Sequence, residues 1–294
     1  MEMRQLGKTG LRVSALGFGA SEINTEPEEF DTCSRVLNIA LDEGVNVIDT
    51  AACYGVSEEL IGKAVSSRRK EYYIFTKTGH ASGIDLPSWD PRLVAPLLDR
   101  SLVRLRTDRV ELLQLHSCSG DMLKQGDIIA ALQKVRESGK TRFIGYSGDG
   151  EAAAYAMTCG AFDTLQTSLN IFDQQPIETI LPLARKHEMG VICKRPIGNA
   201  VWRHRSRPAN SFHHKYWDRM QVLQYDFLGD GEAAADTALR FTLSQDGVHT
   251  AIVGTKSPEH CRQNAAMLSA GALPEAQVQA IRERWKAVEA SLSQ

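Results

Sequence analysis

No stretch of this 294-residue chain stays free of charge long enough to span a bilayer; the longest runs from Gln263 to Pro274 and holds Gly271 and Pro274. The first residues, Met1-Glu2-Met3-Arg4, carry no apolar export core. Charge of one sign is not in excess either: a net charge of −2 and a pI near 6.5 argue against partners recognised by bulk charge, nucleic acid and anionic membranes among them. Cysteine is sparse and unpatterned. Cys33, Cys53, Cys118, Cys159, Cys193 and Cys261 form no C-x-x-C pair, which points to reduced thiols in a cytoplasmic protein rather than a disulfide frame or a metal centre.

What the chain does have is 43% apolar and 24% charged residues, the balance of a globular protein with a substantial core. It opens with two short semi-alternating runs around Gly7-Lys8-Thr9-Gly10, the pattern of a β-hairpin. Apolar runs then recur at Leu16–Ala20, Val45–Asp49, Tyr73–Lys77, Val110–His116, Phe143–Ser147, Thr164–Asn170, Gly190–Arg195 and Thr250–Gly254. Helical spacing fills the gaps. In the first, Phe30, Cys33, Val36, Leu37, Ala40 and Leu41 make one stripe, with a capping box at Thr25 and Glu28 and a stop at Gly44. Further helices are expected over Ser57–Ser66, Asp90–Arg106, Asp127–Ser138, Gly150–Cys159, Ile177–Glu188, Glu232–Ser244, Pro258–Leu268 and Glu275–Leu292; Pro96 predicts a late start or a kink in the second of these.

Strands apolar on both faces, each followed by a helix, require a parallel sheet covered on both sides. Their number suggests closure into a (β/α)8 TIM barrel of one domain over residues 1–294, with an open doubly wound sheet as the alternative. No strand-to-helix turn carries G-x-G-x-x-G, because Gly17-x-Gly19 continues as Ala20-Ser21, so the open sheet gains no support. One connection is too long for a simple turn. Residues 197–231, after the seventh run, show little periodicity but hold Trp202, Tyr216 and Trp217; the aromatics favour a lid over a disordered insert.

In such a barrel the working face lies at the carboxyl ends of the strands. The polar residues there are Asp49, Lys77, His116, Ser147, Asn170 and Lys194, with Tyr54 just beyond Asp49. Asp, Ser and Asn at these places also serve as ordinary helix caps. A lysine ending a buried strand is different, because its charge needs an anion, and Asp49 on the neighbouring strand supplies one. A cation about 4 Å from a phenol is worth up to ~3 pKa units, so Lys77 is expected to bring Tyr54 toward working range. His116 then donates a hydrogen bond to the same oxygen that Tyr54 protonates. A carbonyl polarised in this way lacks only a hydride, which no side chain supplies, so a nicotinamide cofactor is implied.

Nearly the whole chain resembles the aldo-keto reductases, through Gly7-Lys8-Thr9-Gly10-Leu11-Arg12-Val13-Ser14, Val47-Ile48-Asp49-Thr50-Ala51-x-x-Tyr54-Gly55, Phe75-Thr76-Lys77, Leu113-Gln114-Leu115-His116 and Gly139-Lys140-Thr141-Arg142-Phe143-Ile144-Gly145-Tyr146-Ser147. The resemblance puts the family's tetrad on Asp49, Tyr54, Lys77 and His116 and implies a carboxamide site at Ser147 and Gln166. Gly148 stands where the family usually has asparagine, with Asn170 as a substitute, and Lys194 stands where a stacking aromatic is common. Lys194 and Arg195 are alternatively read as pyrophosphate ligands. The adenosine end is expected on Gly254, Thr255, Lys256, His260 and Asn264, where Lys256 favours NADP(H); a plain helix cap with a solvated lysine is equally compatible with NAD(H).

The expected activity is therefore NADP(H)-dependent reduction of a small-molecule aldehyde or ketone. Two rivals remain at this stage: a cofactor-binding regulatory protein with little turnover, and a barrel lyase using Lys77 as a Schiff base. Trp89, Trp202, Tyr216 and Trp217 are candidates for the substrate mouth, and Cys53, without a sequence-adjacent base, is read as an inert thiol. Substrate identity and oligomeric state are not encoded in these patterns.

Overall fold

Strand β1 (Met3–Gln5) pairs antiparallel with β2 (Arg12–Ser14), and the turn between them is a short 3-10 segment closed by Gly10 in the left-handed region, φ 72°. This hairpin is the expected one, and it has a structural task. Leu6, Leu11 and Val13 are buried against Val47, Phe75, Leu112, Ile192 and Ile252, so the hairpin plugs the amino-terminal end of the barrel. The fit is close: a Cβ on Gly190 would lie 2.6 Å from Leu6 Cγ. The computed structural model describes residues 1–23 and 30–292.

The barrel strands are β3 (Leu16–Gly19), β4 (Val47–Asp49), β5 (Tyr73–Thr78), β6 (Val110–His116), β7 (Thr141–Ser147), β8 (Thr164–Ser168), β9 (Gly190–Lys194) and β10 (Thr250–Val253). All neighbours are parallel, and β10 bonds to both β9 and β3, which closes the sheet. Closure excludes the open doubly wound alternative and leaves no unpaired edge.

The outer helices are α1 (Phe30–Asp42), α2 (Ser57–Val65), α3 (Val94–Leu105), α4 (Gly120–Gln125), α5 (Asp127–Glu137), α6 (Gly150–Thr158), α7 (Gln175–Thr179), α8 (Leu181–Lys186), α9 (His214–Leu223), α10 (Gly231–Leu243), α11 (Pro258–Ser269) and α12 (Glu275–Leu292). The Thr25–Glu28 capping box lies outside the described residues. Pro96 is accommodated by a late start: Asp90 caps a 3-10 turn at Pro91–Leu93, and Pro96 falls in the first turn of α3. The helix expected over Ile177–Glu188 is broken instead into α7 and α8, because Pro182 cannot donate the bond that would carry the helix across Ile180.

The expected long loop is a folded segment rather than bare chain. It contains 3-10 turns at Gly198–Arg203, Ser211–His213 and Asp226–Gly229 in addition to α9. Helix α9 packs against α12, and Val201, Tyr216, Leu223 and Tyr225 join Ile171, Phe172, Phe241 and Trp285 in a second core outside the barrel. Arg284 on α12 donates to the carbonyls of Leu223 and Val222 at 2.7 Å each, satisfying the last turn of α9. Asp173, after β8, accepts from Lys215 at 2.6 Å and from Arg219 at 2.9 Å, which pins α9 to the barrel rim. Tyr216, Met220 and Leu223 of α9 share one face at helical spacing, a stripe too short to stand out within a segment otherwise rich in polar and charged residues.

Candidate active site

The parallel register brings the polar strand ends to one rim. Asp49 is level with Gly19 and Phe75, Lys77 with Gln114, His116 with Ser147, Ser147 with Gln166, and Ser168 with Lys194. Asp49 and Lys77 are each only 2% exposed, so their charges must satisfy one another. Lys77 Nζ donates to Asp49 Oδ1 and, at 2.9 Å, to the Thr50 carbonyl. The other Asp49 oxygen accepts from Gln114 Nε2 at 3.0 Å and from Gln166 Nε2 at 2.7 Å. Ser147 Oγ in turn donates to Gln166 Oε1 at 2.9 Å.

Tyr54 stands over this network. Lys77 Nζ is 5.0 Å from the centre of its ring, and the His116 ring meets it edge-on, with centroids 5.9 Å apart. Burial pushes the Tyr54 phenol above its ordinary value; Lys77 pulls it back, and Asp49 offsets part of that pull. The expected acidification is therefore present in sign but outweighed by desolvation, and the hydroxyl keeps its proton. Burial alone would lower Lys77, but the adjacent Asp49 carboxylate and Tyr54 raise it, so the ammonium stays charged. His116 is driven down to about 2, by burial first and then by Lys77, His80, Lys194 and Arg195. Its imidazole is neutral at working pH.

Trp89 is the one mouth candidate that reaches this centre. Its Nε1 donates to the His116 carbonyl at 2.7 Å and its ring packs on His80. Trp202, Tyr216 and Trp217 belong to the second core instead. Cys53 has a partner that sequence adjacency could not reveal: its Sγ lies 3.5 Å from His116 Nδ1.

Around the rim, Lys194 Nζ bonds Asp149 Oδ2 at 3.0 Å, and Arg195 Nη1 donates to Ser168 Oγ at 3.0 Å while stacking 4.4 Å from the Phe212 ring centre. Burial opposes ionisation of Asp149, but Lys194 and the Ser168 N–H bring its carboxyl down to about 2. Asp149 is the anion that both basic residues face, and the sequence reading missed it. Asn170 is fully buried, with Oδ1 accepting from the Phe172 N–H at 2.8 Å and Nδ2 donating to the Arg195 carbonyl at 3.0 Å. Its carboxamide holds the turn after β8. Gly148 itself is explained by Tyr146, whose hydroxyl donates to the Cys118 carbonyl at 2.6 Å; a Cβ at 148 would sit 2.5 Å from that hydroxyl.

Beyond β10, Gly254 approaches the barrel so closely that a Cβ would fall 2.7 Å from the Gly19 carbonyl. Thr255 Oγ1 accepts from the Ser257 N–H at 3.0 Å, and Ser257 Oγ accepts from the His260 N–H at 3.2 Å, capping α11. His260 is exposed, Lys256 is partly exposed, and Thr255 and Asn264 line a small cavity beside Phe18. The rim after β10 thus presents a positive helix end and a lysine, which suit a phosphate group.

A sequence model of the aldo/keto reductase family matches residues 15–286. The chain belongs to that family. It is 26% identical to the uncharacterized oxidoreductase YqkF of Bacillus subtilis, over 97% of each chain. It is 28% identical to the L-galactose dehydrogenase of Arabidopsis thaliana, over 92% of this chain and 88% of the relative. Among solved structures, the holo form of aldo-keto reductase AKR11C1 from Bacillus halodurans superposes with a TM-score of 0.83 at 28% identity, covering 97% of this chain and 96% of that one.

Proposed function

We propose that this family member reduces an aldehyde or ketone with NADP(H), Tyr54 acting as general acid. The observation that carries the reading is the Lys77 ammonium, held by Asp49 and the Thr50 carbonyl 5.0 Å from the Tyr54 ring that neutral His116 also meets.

A bound reduced nicotinamide would supply the hydride. Tyr54 gives its proton to the carbonyl oxygen. As negative charge develops on the phenolic oxygen, Lys77 stabilises it; Asp49 keeps Lys77 charged and aimed. Neutral His116 contributes one N–H to the same carbonyl oxygen without competing for the proton. Ser147 and Gln166 would hold the carboxamide of the cofactor, and Gln166 also bonds Asp49. Lys194 and Arg195, which both face Asp149, would hold the pyrophosphate, and Gly254, Thr255, Lys256, His260 and Asn264 would hold the adenosine end. Lys256 supports a preference for the 2′-phosphate. The 197–231 segment covers the mouth as a lid and sets the carbonyl taken.

The test is oxidation of NADPH and of NADH against a panel of aldehydes, ketones and quinones, repeated with Tyr54→Phe. The reading requires turnover that prefers NADPH and that the phenylalanine variant loses by at least about a hundredfold. Tight NADPH binding with no turnover on any carbonyl would instead indicate the regulatory reading.

A further inference from the structure

Cys53 and His80 lie in the connections after β4 and β5 and His116 ends β6, yet one ligand atom from each lies within 4.8 Å of the other two. The Cys53 Sγ to His116 Nδ1 distance is 3.5 Å, and the His80 and His116 rings meet edge-on with centroids 4.9 Å apart. A tetrahedral zinc ion with Zn–S near 2.3 Å and Zn–N near 2.05 Å has an S···N edge of about 3.6 Å, so one edge of such a site is already formed. We infer that Cys53, His80 and His116 form a binding site for a divalent transition metal of the zinc class, with its fourth position open to solvent.

The donor chemistry selects the ion. Two imidazoles and a sulfur, with no carboxylate among them, suit Zn²⁺ or Co²⁺ and exclude Mg²⁺ and Ca²⁺. His80 and His116 are each half-buried, and each offers a ring nitrogen to the shared position. Cys53 is exposed, which gives the ion a way in and gives its proton a way out. On binding, the S–H bond breaks, a Zn–S bond forms and one proton passes to water, leaving one unit of the metal's charge neutralised by the thiolate. The nearby cations oppose binding less than their number suggests, because Lys77 and Lys194 are each paired, with Asp49 and Asp149. Ligation through Nδ1 takes that nitrogen's lone pair and confines the proton of His116 to Nε2. C-x-x-C counting cannot detect this cluster, because its members are far apart in sequence and meet only when the barrel closes.

The site is tested by titrating the metal-free chain with Co²⁺. Tetrahedral visible bands and a sulfur-to-cobalt charge-transfer band are expected, both displaced by Zn²⁺. Cys53→Ser removes the charge-transfer band, and His80→Ala weakens Co²⁺ at least about tenfold. Zn²⁺ also slows alkylation of Cys53 in the parent chain but not in His80→Ala. Absence of tetrahedral bands, or a charge-transfer band that survives Cys53→Ser, overturns the site. None of these readouts needs catalysis, so failure of the proposed reductase activity and failure of the metal site are separately visible.

Discussion

Gln166 donates to Asp49 across the full width of the barrel, Nε2 to Oδ2 at 2.7 Å, although β8 and β4 stand opposite each other in the closed sheet. Gln114, on β6 between them, reaches the same oxygen at 3.0 Å. Alternate strands of such barrels contribute side chains to a common interior layer, and here that layer is polar. The carboxylate that fixes Lys77 is itself fixed from two further directions.

Gln114→Leu removes one of these donors while keeping the side chain's bulk. Hydrogen bonds to charged groups contribute about 1.5–3 kcal/mol, so chemical denaturation should show a loss in that range. Single-turnover reduction should slow, with cofactor affinity unchanged, because Gln114 acts through Asp49. An unaltered rate would remove Gln114 from the positioning of Lys77.

Lys77→Met leaves Asp49 buried without its counter-charge, a loss of about 3–5 kcal/mol. Lys77→Met combined with Asp49→Asn should recover part of that stability but none of the activity. Cofactor binding, followed by fluorescence titration, should survive in both. Borohydride treatment of the parent chain with a carbonyl substrate should trap nothing on Lys77, since an ammonium raised by Asp49 is not a nucleophile; a trapped adduct would favour the Schiff-base chemistry.

His116 titrates near 2 in the folded chain against about 6.5 unfolded. Between those values the unfolded chain holds a proton that the native ring lacks. Stability is therefore complete above about pH 6.5 and declines on acidification, by up to about 1.4 kcal/mol per pH unit from this ring. His80 and His249, also lowered by burial, act in the same sense. Denaturation midpoints at pH 7 and pH 5 should differ by less in His116→Gln than in the parent. The pH profile of turnover should show no step between pH 5 and 8 from His116 itself.

The eight-stranded closure and the hairpin were legible because apolar runs and turn glycines are local signals, and Asp49, Lys77 and His116 were legible because each ends such a run. The direction of the Tyr54 shift was not, since it depends on how deeply the ring is buried once the barrel closes. Asp149, Gln114 and the Cys53–His116 contact were hidden for a related reason: each acquires its meaning from a residue on another strand. A polar side chain inside an apolar run, as Gln114 is, was the available clue to the first of these networks.

Gly148→Asn, which restores the residue common in the family, should not improve the enzyme. Its Cβ meets the Tyr146 ring, which is buried and bonded to the Cys118 carbonyl. Overpacking of this kind costs about 1–3 kcal/mol, read as a lower melting temperature. Gly148→Asn with Tyr146→Ala should relieve the clash, and a double variant no better packed than the single one would show that the ring is not what excludes asparagine.

The chain after β9 packs its apolar side chains against α12 in a core separate from that of the strands. A surface of this kind is a natural place for transplantation. Residues between Gly198 and Gly229 from a relative should be exchangeable as a cassette, provided the Trp285 face and the Asp173 anchor travel with them, and the recipient's melting behaviour should stay that of the donor-independent barrel.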